Sequence, residues 1–526
     1  MYLTPYGAVR EVTGSMHLIT AGEDRILLDC GMFQGRRKEA EIKNHQFQVD
    51  PRLITNVVLS HAHIDHCGRI PFLTKQNFFG RIIATRATHD ACRYLLRDSA
   101  HIQESDAEYL NYKTVRSYLF QQENSRRNKE LSKRKIIKIR RQLKSDTHRI
   151  NNEAVNEMAK RFNLVTVTPL YTMKDAEKSL DYFESYPYGV PVSIGKNTTV
   201  TFYDAGHILG SAFCLLRITE NGKTFRVLYT GDVGRFDKPI LNDPTTHFPE
   251  EDKNIDLLIL ESTYGNRKHE AVKDFKQKLI EIIDETTKRG GSIIIPAFAF
   301  GRTQELIYVL HEIYNEGKTQ RLPIYIDSPL AANMTKVFGE HPENYDEDAR
   351  KEFLEKGENP FMFDRIHFTQ TVEESMRLMT DPNPNIVIAS SGMCEAGRIL
   401  HHLRYKIHNE KNTILIVGYM AENTLGRRIL TEGEAYENNK REGEPPLLNF
   451  LNKSYPLRAH VKELGGFSGH ADRYEILEVL KESKLDIKKI ALVHGEEDQA
   501  LAFQKFLEEN GFKVKVPYSG EIINID

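Results

Sequence analysis

Ser60-His61-Ala62-His63-Ile64-Asp65-His66-Cys67-Gly68 follows directly on the apolar run Val57-Val58-Leu59. That run is short, β-branched and bounded by Asn56 and Ser60, so it reads as a buried strand. His61 and His63, two apart on an extended segment, point the same way and can chelate one metal ion. Asp65 and His66 follow at once, with an oxygen and a nitrogen suited to a second ion. Neutral imidazole and carboxylate are the donors that zinc takes at neutral pH. A polar turn that holds histidines by chance would account for a lone HxH. Four donor residues within six positions, at a strand end, argue for a metal site.

The same arrangement recurs along the chain. Arg25 to Leu28 leads into Asp29-Cys30-Gly31, and Thr199 to Tyr203 leads into Asp204-Ala205-Gly206-His207-Ile208-Leu209-Gly210-Ser211. Arg226 to Tyr229 leads into Thr230-Gly231-Asp232, Asp256 to Leu260 into Glu261-Ser262-Thr263-Tyr264-Gly265, and Lys489 to Val493 into His494-Gly495-Glu496. Each time an apolar strand delivers a metal-donor residue type at its C-terminal end, beside a glycine that lets the backbone turn. One strand ending in Asp or Glu is usually an ordinary turn. The recurrence carries the weight, because open α/β sheets place their sites at these strand ends. Near the C-terminus, Gly466-Phe467-Ser468-Gly469-His470-Ala471-Asp472 precedes a predicted helix over Arg473 to Ser483.

Between Gly265 and the tail the rhythm is helix–strand alternation. Helices are predicted over Lys273 to Lys288 and Thr303 to Glu316, and strands over 292–296, 323–326, 385–389 and 413–417. This reads as a doubly wound, Rossmann-like unit inserted as a second domain. Its strands end in Phe300-Gly301-Arg302, Asp327-Ser328-Pro329, Ser390-Ser391-Gly392-Met393 and Gly418-Tyr419, turns that could present backbone N–H groups to phosphates. His401 and His402 read as ordinary residues of a helix. The region from Ser99 to Phe162 is long, polar and free of Gly and Pro. From Thr114 to Arg161 it is basic, with Arg126-Arg127, Lys133-Arg134-Lys135 and Arg140-Arg141. Ile136, Ile139, Leu143 and Ile150 recur at helical intervals, which predicts an amphipathic helical excursion.

At 526 residues the chain is too long for one ordinary core, and 40% hydrophobic with 28% charged residues suits a globular protein of two or more domains. A net charge of -2 excludes a general polycation, so any affinity for nucleic acid must come from local patches. The 5 cysteines are scattered, without a CxxC pair, which fits a reducing compartment and argues against a thiolate zinc site. Met1 to Arg10 shows no signal-peptide pattern and no run approaches the roughly 18–20 apolar residues of a membrane span. A cytoplasmic enzyme is the expectation.

The ordered set Asp29, His61-x-His63-x-Asp65-His66, His207 and Asp232 resembles the metallo-β-lactamase fold signature. Its continuation, Glu261 in ESTYG, His470 in GFSGHAD and His494 in LVHGE, looks like the further motifs of the β-CASP branch, which processes nucleic acids. The details most resemble bacterial and archaeal relatives of the polyadenylation-factor endonuclease subunit. The resemblance implies an α/β fold: an αββα sandwich over 1–265 and 451–526, a Rossmann-like β-CASP domain inserted over 266–450, and the basic segment of about 114–161 as an addition. It implies two Zn2+ per chain, one held by His61, His63, His207 and Asp232 and the other by Asp65, His66, His494 and Asp232. A metal-bridged hydroxide would attack phosphorus and His470 would be the general acid. Glu261 would orient His470, Asp29 would support a ligand histidine, and Asp65 belongs with these catalytic groups. Arg302, Ser391, Gly392 and Ser468 are the candidate substrate contacts. The expected activity is hydrolysis of single-stranded RNA in a groove between the domains, without a membrane and with homodimerisation left open. Two alternatives stand beside it: a (thio)ester or lactam hydrolase of the same core, and a non-catalytic RNA-binding scaffold. Endo- versus exonucleolytic cutting, the RNA cut, and action on DNA are open at this point.

Overall fold

The computed structural model of the chain describes residues 1–35, 37–124, 131–144, 150–269, 275–355, 357, 359–465 and 468–525. The expected Arg126-Arg127 pair, Gly466-Phe467 and the first residues of the helix predicted from Lys273 lie outside them.

Two seven-stranded sheets face one another. The first begins at the hairpin Tyr2–Gly7 and Met16–Ala21 and continues through Asp24–Leu28, Asn56–Val58, Arg81–Thr85 and Phe183–Tyr186. The second orders Val514–Lys515, Ile490–Val493, Leu257–Glu261, Lys223–Tyr229, Ala212–Glu220, Thr198–Asp204 and Val192–Ser193. Alternation along the strands separates the faces. Ile26, Leu28, Val58 and Ile83 meet Val200, Leu216, Val227, Ile259 and Val493 in the core between the sheets. Their neighbours Leu27, Val57 and Ile82 point outward to a helical layer, and Leu258, Leu260 and Leu492 to another made by Arg473–Glu482 and Glu497–Glu509. This is the αββα sandwich. The chain's tail closes it, since Ile523 pairs with Leu3 and Ile490–Val493 runs parallel to Leu257–Glu261.

The inserted domain carries a six-stranded, wholly parallel sheet in the order Ile366–Phe368, Ile324–Ile326, Ile386–Ala389, Ile293–Pro296, Thr413–Ile416, His460–Glu463. The border expected at 450 therefore falls before this sheet's last strand. The insert docks on the sandwich through Asp346 N–H to Ile240 O and a bridge between Leu241 and Tyr345.

The helix that follows Arg81–Thr85 is long, running from Arg86 to Asn124, 39 residues without Gly or Pro. Its first half buries Ala87, Ala91, Leu95, Leu96 and Ala100 in the main core. Its second half supplies Tyr112, Val115 and Leu119 to a separate small core with Ile136, Ile139, Leu143, Val155 and Met158. The helical excursion is thus an ordered arm of that helix with Lys133–Gln142 and Asn152–Arg161. Among the described residues no helix is long and apolar enough to cross a membrane.

Candidate metal centre and its surroundings

Two sets of parallel strands end at one rim. Asp24–Leu28, Asn56–Val58 and Arg81–Thr85 are parallel neighbours in the first sheet, as are Lys223–Tyr229, Leu257–Glu261 and Ile490–Val493 in the second. Asp29, His61, Asp232, Glu261 and His494 all emerge from their C-terminal ends. Parallel register sets them side by side, with Glu261 opposite Val493. His61 and His63 sit on the loop leaving Asn56–Val58, and His63 caps the short helix Ile64–Cys67 that presents Asp65 and His66. Close approach requires glycine here: a Cβ at Gly231, where φ is +52°, would lie 2.6 Å from that of Ser60.

Two donor groups form. In one, His61 Nε2 lies 3.1 Å from His63 Nδ1, which lies 3.3 Å from His207 Nε2. Asp232 Oδ2 completes it, 3.3 Å from His61 Nε2 and 3.4 Å from His207 Nε2. Donors about 2.0–2.1 Å from a tetrahedral zinc stand roughly 3.3–3.4 Å apart, so these spacings fit one zinc ion. In the other, His66 Nε2 is 2.9 Å from His494 Nε2, and His494 Nε2 is 3.6 Å from Asp65 Oδ2. Asp232 Oδ1 reaches this group at 3.2 Å from His66 Nε2. That oxygen is buried without a hydrogen-bond partner. An ionised carboxylate oxygen left so costs several kcal/mol unless a cation meets it. Both donor groups, and a third of Asp232, Glu261 and His494, are tight enough to hold a metal. The residues present fit the metal that the sequence implies.

Electrostatics agree. Burial and neighbouring imidazoles keep His61 and His207 below the ordinary histidine range, and burial with His61 beside it lowers His63 to about 3. Neutral imidazole is the ligand form. For His66 burial works against charge, but Asp232 and Asp29 outweigh it and hold it protonated well above the usual range. A cation entering there would displace that proton.

The residues behind the donors fix their orientation. Asp29 accepts from Ser60 N–H at 2.7 Å, Ser60 Oγ at 2.8 Å, Tyr229 Oη at 2.6 Å and His66 Nδ1 at 2.6 Å. Ser60 Oγ meets His61 Nδ1 at 3.0 Å, and Thr263 Oγ1 meets His494 Nδ1 at 3.1 Å. His207 Nδ1 donates to Gly469 O at 3.0 Å, and Lys238 Nζ donates to His207 O at 3.0 Å. Such partners set tautomer and ring angle. Sequence reasoning found Asp29 and missed Ser60, Tyr229, Thr263 and Lys238. The glycine of GFSGHAD was a usable signal, since a Cβ at Gly469 would sit 3.0 Å from His207.

His470 stands beside the donors rather than among them. Its Nδ1 is 3.1 Å from both Glu261 oxygens and its Nε2 is 3.9 Å from Asp232 Oδ2. Burial opposes its charge, but Glu261 and then Asp232 raise it to about 9. His63, Asp65 and His470 are partly exposed while His61, His66, His207, Asp232, Glu261 and His494 are buried, so solvent meets the centre at those three residues. The insert overhangs it: the Phe300 ring lies 6.3 Å from that of His63. Of the expected substrate contacts, Arg302 pairs with Glu305, which also holds Lys238 at 2.7 Å. Ser391 Oγ accepts from the N–H groups of Glu395 and Ala396, Gly392 packs on the half-exposed Phe298, and Ser468 Oγ donates to His470 O at 3.3 Å.

Three family descriptions match the chain: the metallo-beta-lactamase superfamily over residues 9–108, the Beta-Casp domain over 303–429, and the Zn-dependent metallo-hydrolase RNA specificity domain over 454–517. A Thermus thermophilus protein described as Ribonuclease TTHA0252 is 32% identical over 99% of this chain and 99% of its own. The transcription termination factor FttA of Methanocaldococcus jannaschii is 28% identical over 94% of this chain and 67% of its own, and that of Pyrococcus horikoshii 27% over 99% and 71%. A crystal structure of an Enterococcus faecalis protein of unknown function shares the fold, with a TM-score of 0.50 at 13% identity over 99% of both chains. With its strand-end donors, inserted parallel sheet and closing tail matched along their length, the chain belongs to the β-CASP branch of the metallo-β-lactamase superfamily of metallohydrolases.

Proposed function

We propose that the protein is a two-zinc ribonuclease that hydrolyses phosphodiester bonds of single-stranded RNA. The observation that carries this reading is Asp232, whose two oxygens face two separate donor groups and one of which is buried without a hydrogen bond. His61, His63, His207 and Asp232 would hold one ion, and Asp65, His66, His494 and Asp232 the other. Zinc held there would supply a water of lowered pKa and a charge to offset that of the phosphate oxygens. Glu261 fixes the Nδ1 side of His470, which leaves its Nε2 to carry a proton towards the departing oxygen. Asp29 keeps the His66 ring aligned. Arg302, Ser391 and Gly392 of the insert, together with Ser468 beside His470, are proposed contacts of the RNA. The burial of most of the donors favours an unpaired strand, since the bases of a duplex would hold its backbone away from a recessed centre. The ribonuclease description of the Thermus relative and the RNA specificity description of residues 454–517 support the substrate class. The domain division is proposed as 1–265, 266 to about 463, and the remainder, its second border following the strand His460–Glu463.

The test is zinc content together with cleavage of a 5′-labelled RNA. Near two zinc per chain and cleavage that chelation abolishes and zinc restores are expected. Hydrolysis of a thioester or lactam with no action on RNA would favour the small-molecule hydrolase, and RNA binding without cleavage the scaffold.

A further inference from the structure

Among the described residues the helical arm contributes no donor to the metal centre, and none of the matched family descriptions extends over its basic part. From Thr114 to Arg161 the sequence holds 14 Lys and Arg against 5 Asp and Glu, in a chain whose net charge is -2. The helix Lys133–Gln142 concentrates this charge. Ile136 and Ile139 are buried in the arm's own core, while Lys133, Arg134, Lys135, Lys138, Arg140 and Arg141 are exposed. Arg134, Lys138 and Arg141 follow at i, i+4 and i+7 and so share one stripe. Arg140 pairs with Glu123 at 2.7 Å; Lys133, Arg134, Lys135, Lys138 and Arg141 have no carboxylate partner among the described residues. A face of unneutralised cations on a separately packed support fits a polyanion.

We propose that this face clamps the phosphate backbone of the RNA substrate away from the cleavage site. The proposal rests on the ribonuclease reading above. A basic amphipathic helix also suits an anionic membrane surface, but insertion needs a free apolar face. Here Ile136 and Ile139 are spent on the core they share with Tyr112, Val115, Leu119 and Val155, and Ile137 is the one apolar residue of this helix left exposed. Phosphate contacts need only the cations that remain.

The arm also sets a length scale. Its long helix is anchored near the centre, where Thr85 Oγ1 and Thr88 Oγ1 both donate to Gly210 O at 2.6 and 2.8 Å, in the loop that carries His207. The basic helix packs against that helix from Tyr112 to Glu123. At about 1.5 Å per residue this lies roughly 36–52 Å from Thr88 along the axis. At about 3.4 Å per stacked nucleotide, RNA must run on for roughly ten or more nucleotides to reach it.

The test uses full-length, zinc-loaded protein with Lys133→Gln, Arg134→Gln, Lys138→Gln and Arg141→Gln combined. Affinity is measured in a His470→Ala background, so that the probe survives, for an 8-nucleotide and a 40-nucleotide RNA across salt concentrations. We expect the long RNA to bind about 10- to 100-fold more weakly at low salt, with a log–log salt slope shallower by about three units. Affinity for the 8-mer, and its cleavage when His470 is present, should not change. A control with Lys133→Arg and Lys138→Arg should bind like the parent. Parent-like affinity and slope for the long RNA overturn the clamp, as does an equal loss on both lengths. So does loss of binding to phosphatidylserine vesicles with RNA binding intact, which would make the face a membrane contact. If the parent protein neither binds nor cuts any RNA, the ribonuclease reading fails first, a result distinct from failure of the arm variant alone.

Discussion

Asp232 in the sandwich and Asp327 in the insert are both buried just past the C-terminal end of a parallel strand, and the two are used in opposite ways. In the insert, Asp327 follows Ile324–Ile326 and its oxygens are saturated with donors. Thr369 Oγ1 and Arg398 Nη1 (2.6 Å) donate to Oδ1, while Ser375 Oγ and His402 Nε2, each at 2.6 Å, meet Oδ2. In the sandwich, Asp232 follows Lys223–Tyr229 and its nearest neighbours are four histidines at 3.2–3.5 Å, with no hydrogen bond to Oδ1. One carboxylate is a finished ionic knot that ties a strand end to two helices. The other is a hub of lone pairs that wants a cation. An apolar strand, an aspartate and small neighbours make both, so the surroundings decide between knot and ligand: donors of hydrogen in one case, further metal donors in the other.

The largest expected effect tests the hub. Asp232→Ala should lose zinc at both positions and slow RNA cleavage by at least about 10³-fold, since metal-assisted charge stabilisation is worth several kcal/mol. His494→Ala should lose chiefly the second zinc. Metal analysis of purified protein reads both, and a parent that never takes up a second zinc would break the claim that Asp232 joins two sites.

His470→Ala comes next. It should keep its metals yet lose roughly 10²–10⁴ in cleavage rate, because proton donation to the leaving oxygen is removed. A nitrophenyl phosphodiester, whose leaving group needs little help, should suffer less. Equal losses on the two substrates would put His470 back among the ligands or the supports.

A smaller effect is expected behind the hub. Asp29→Asn cannot accept from Ser60, Tyr229 and His66 in the same pattern, and should weaken zinc affinity or activity by roughly 10–100-fold. Unchanged zinc affinity and rate would mean that His66 needs no help from Asp29. Asp29 was legible in the sequence because it ends a strand beside a glycine, as the donors do. The donors themselves were legible because a chelate made by neighbours in sequence, His61-x-His63-x-Asp65-His66, needs no knowledge of topology. Ser60, Tyr229 and Thr263 were not, because a hydroxyl that orients a ring has no spacing that distinguishes it from any other hydroxyl. The insert's parallel sheet could be read from its rhythm, but its last strand, His460–Glu463, follows a hairpin and breaks that rhythm. The 39-residue helix was legible only in pieces, because its apolar stripe serves two different cores.

The knot gives the smallest expected effect on chemistry and the clearest on stability. Asp327 and His402 are 75 residues apart, and nothing local marked His402 as more than a residue of its helix. Burial by itself would raise the Asp327 carboxyl, but hydrogen bonds from His402, Ser375 and Thr369 outweigh it and hold the group below the ordinary carboxylate range. A folded-state value below the unfolded one contributes stability that is fully present above about pH 3.9 and lost as pH falls further. Asp327→Asn should therefore keep the parent's zinc content and its turnover of the nitrophenyl phosphodiester. It should also cost roughly 3–5 kcal/mol at pH 7, because Arg398 loses its counter-charge and the oxygens that Thr369, Ser375 and His402 meet are no longer both acceptors. Near pH 3 the unfolded parent chain takes up a proton that the folded carboxylate still resists, so the gap between parent and variant should narrow. Denaturant unfolding of zinc-free protein at both pH values checks this without the metal contributing. A gap of the same size at both would show that the insert is held by the shape of these hydrogen bonds and not by the charge, and the contrast with Asp232 would then rest on geometry alone.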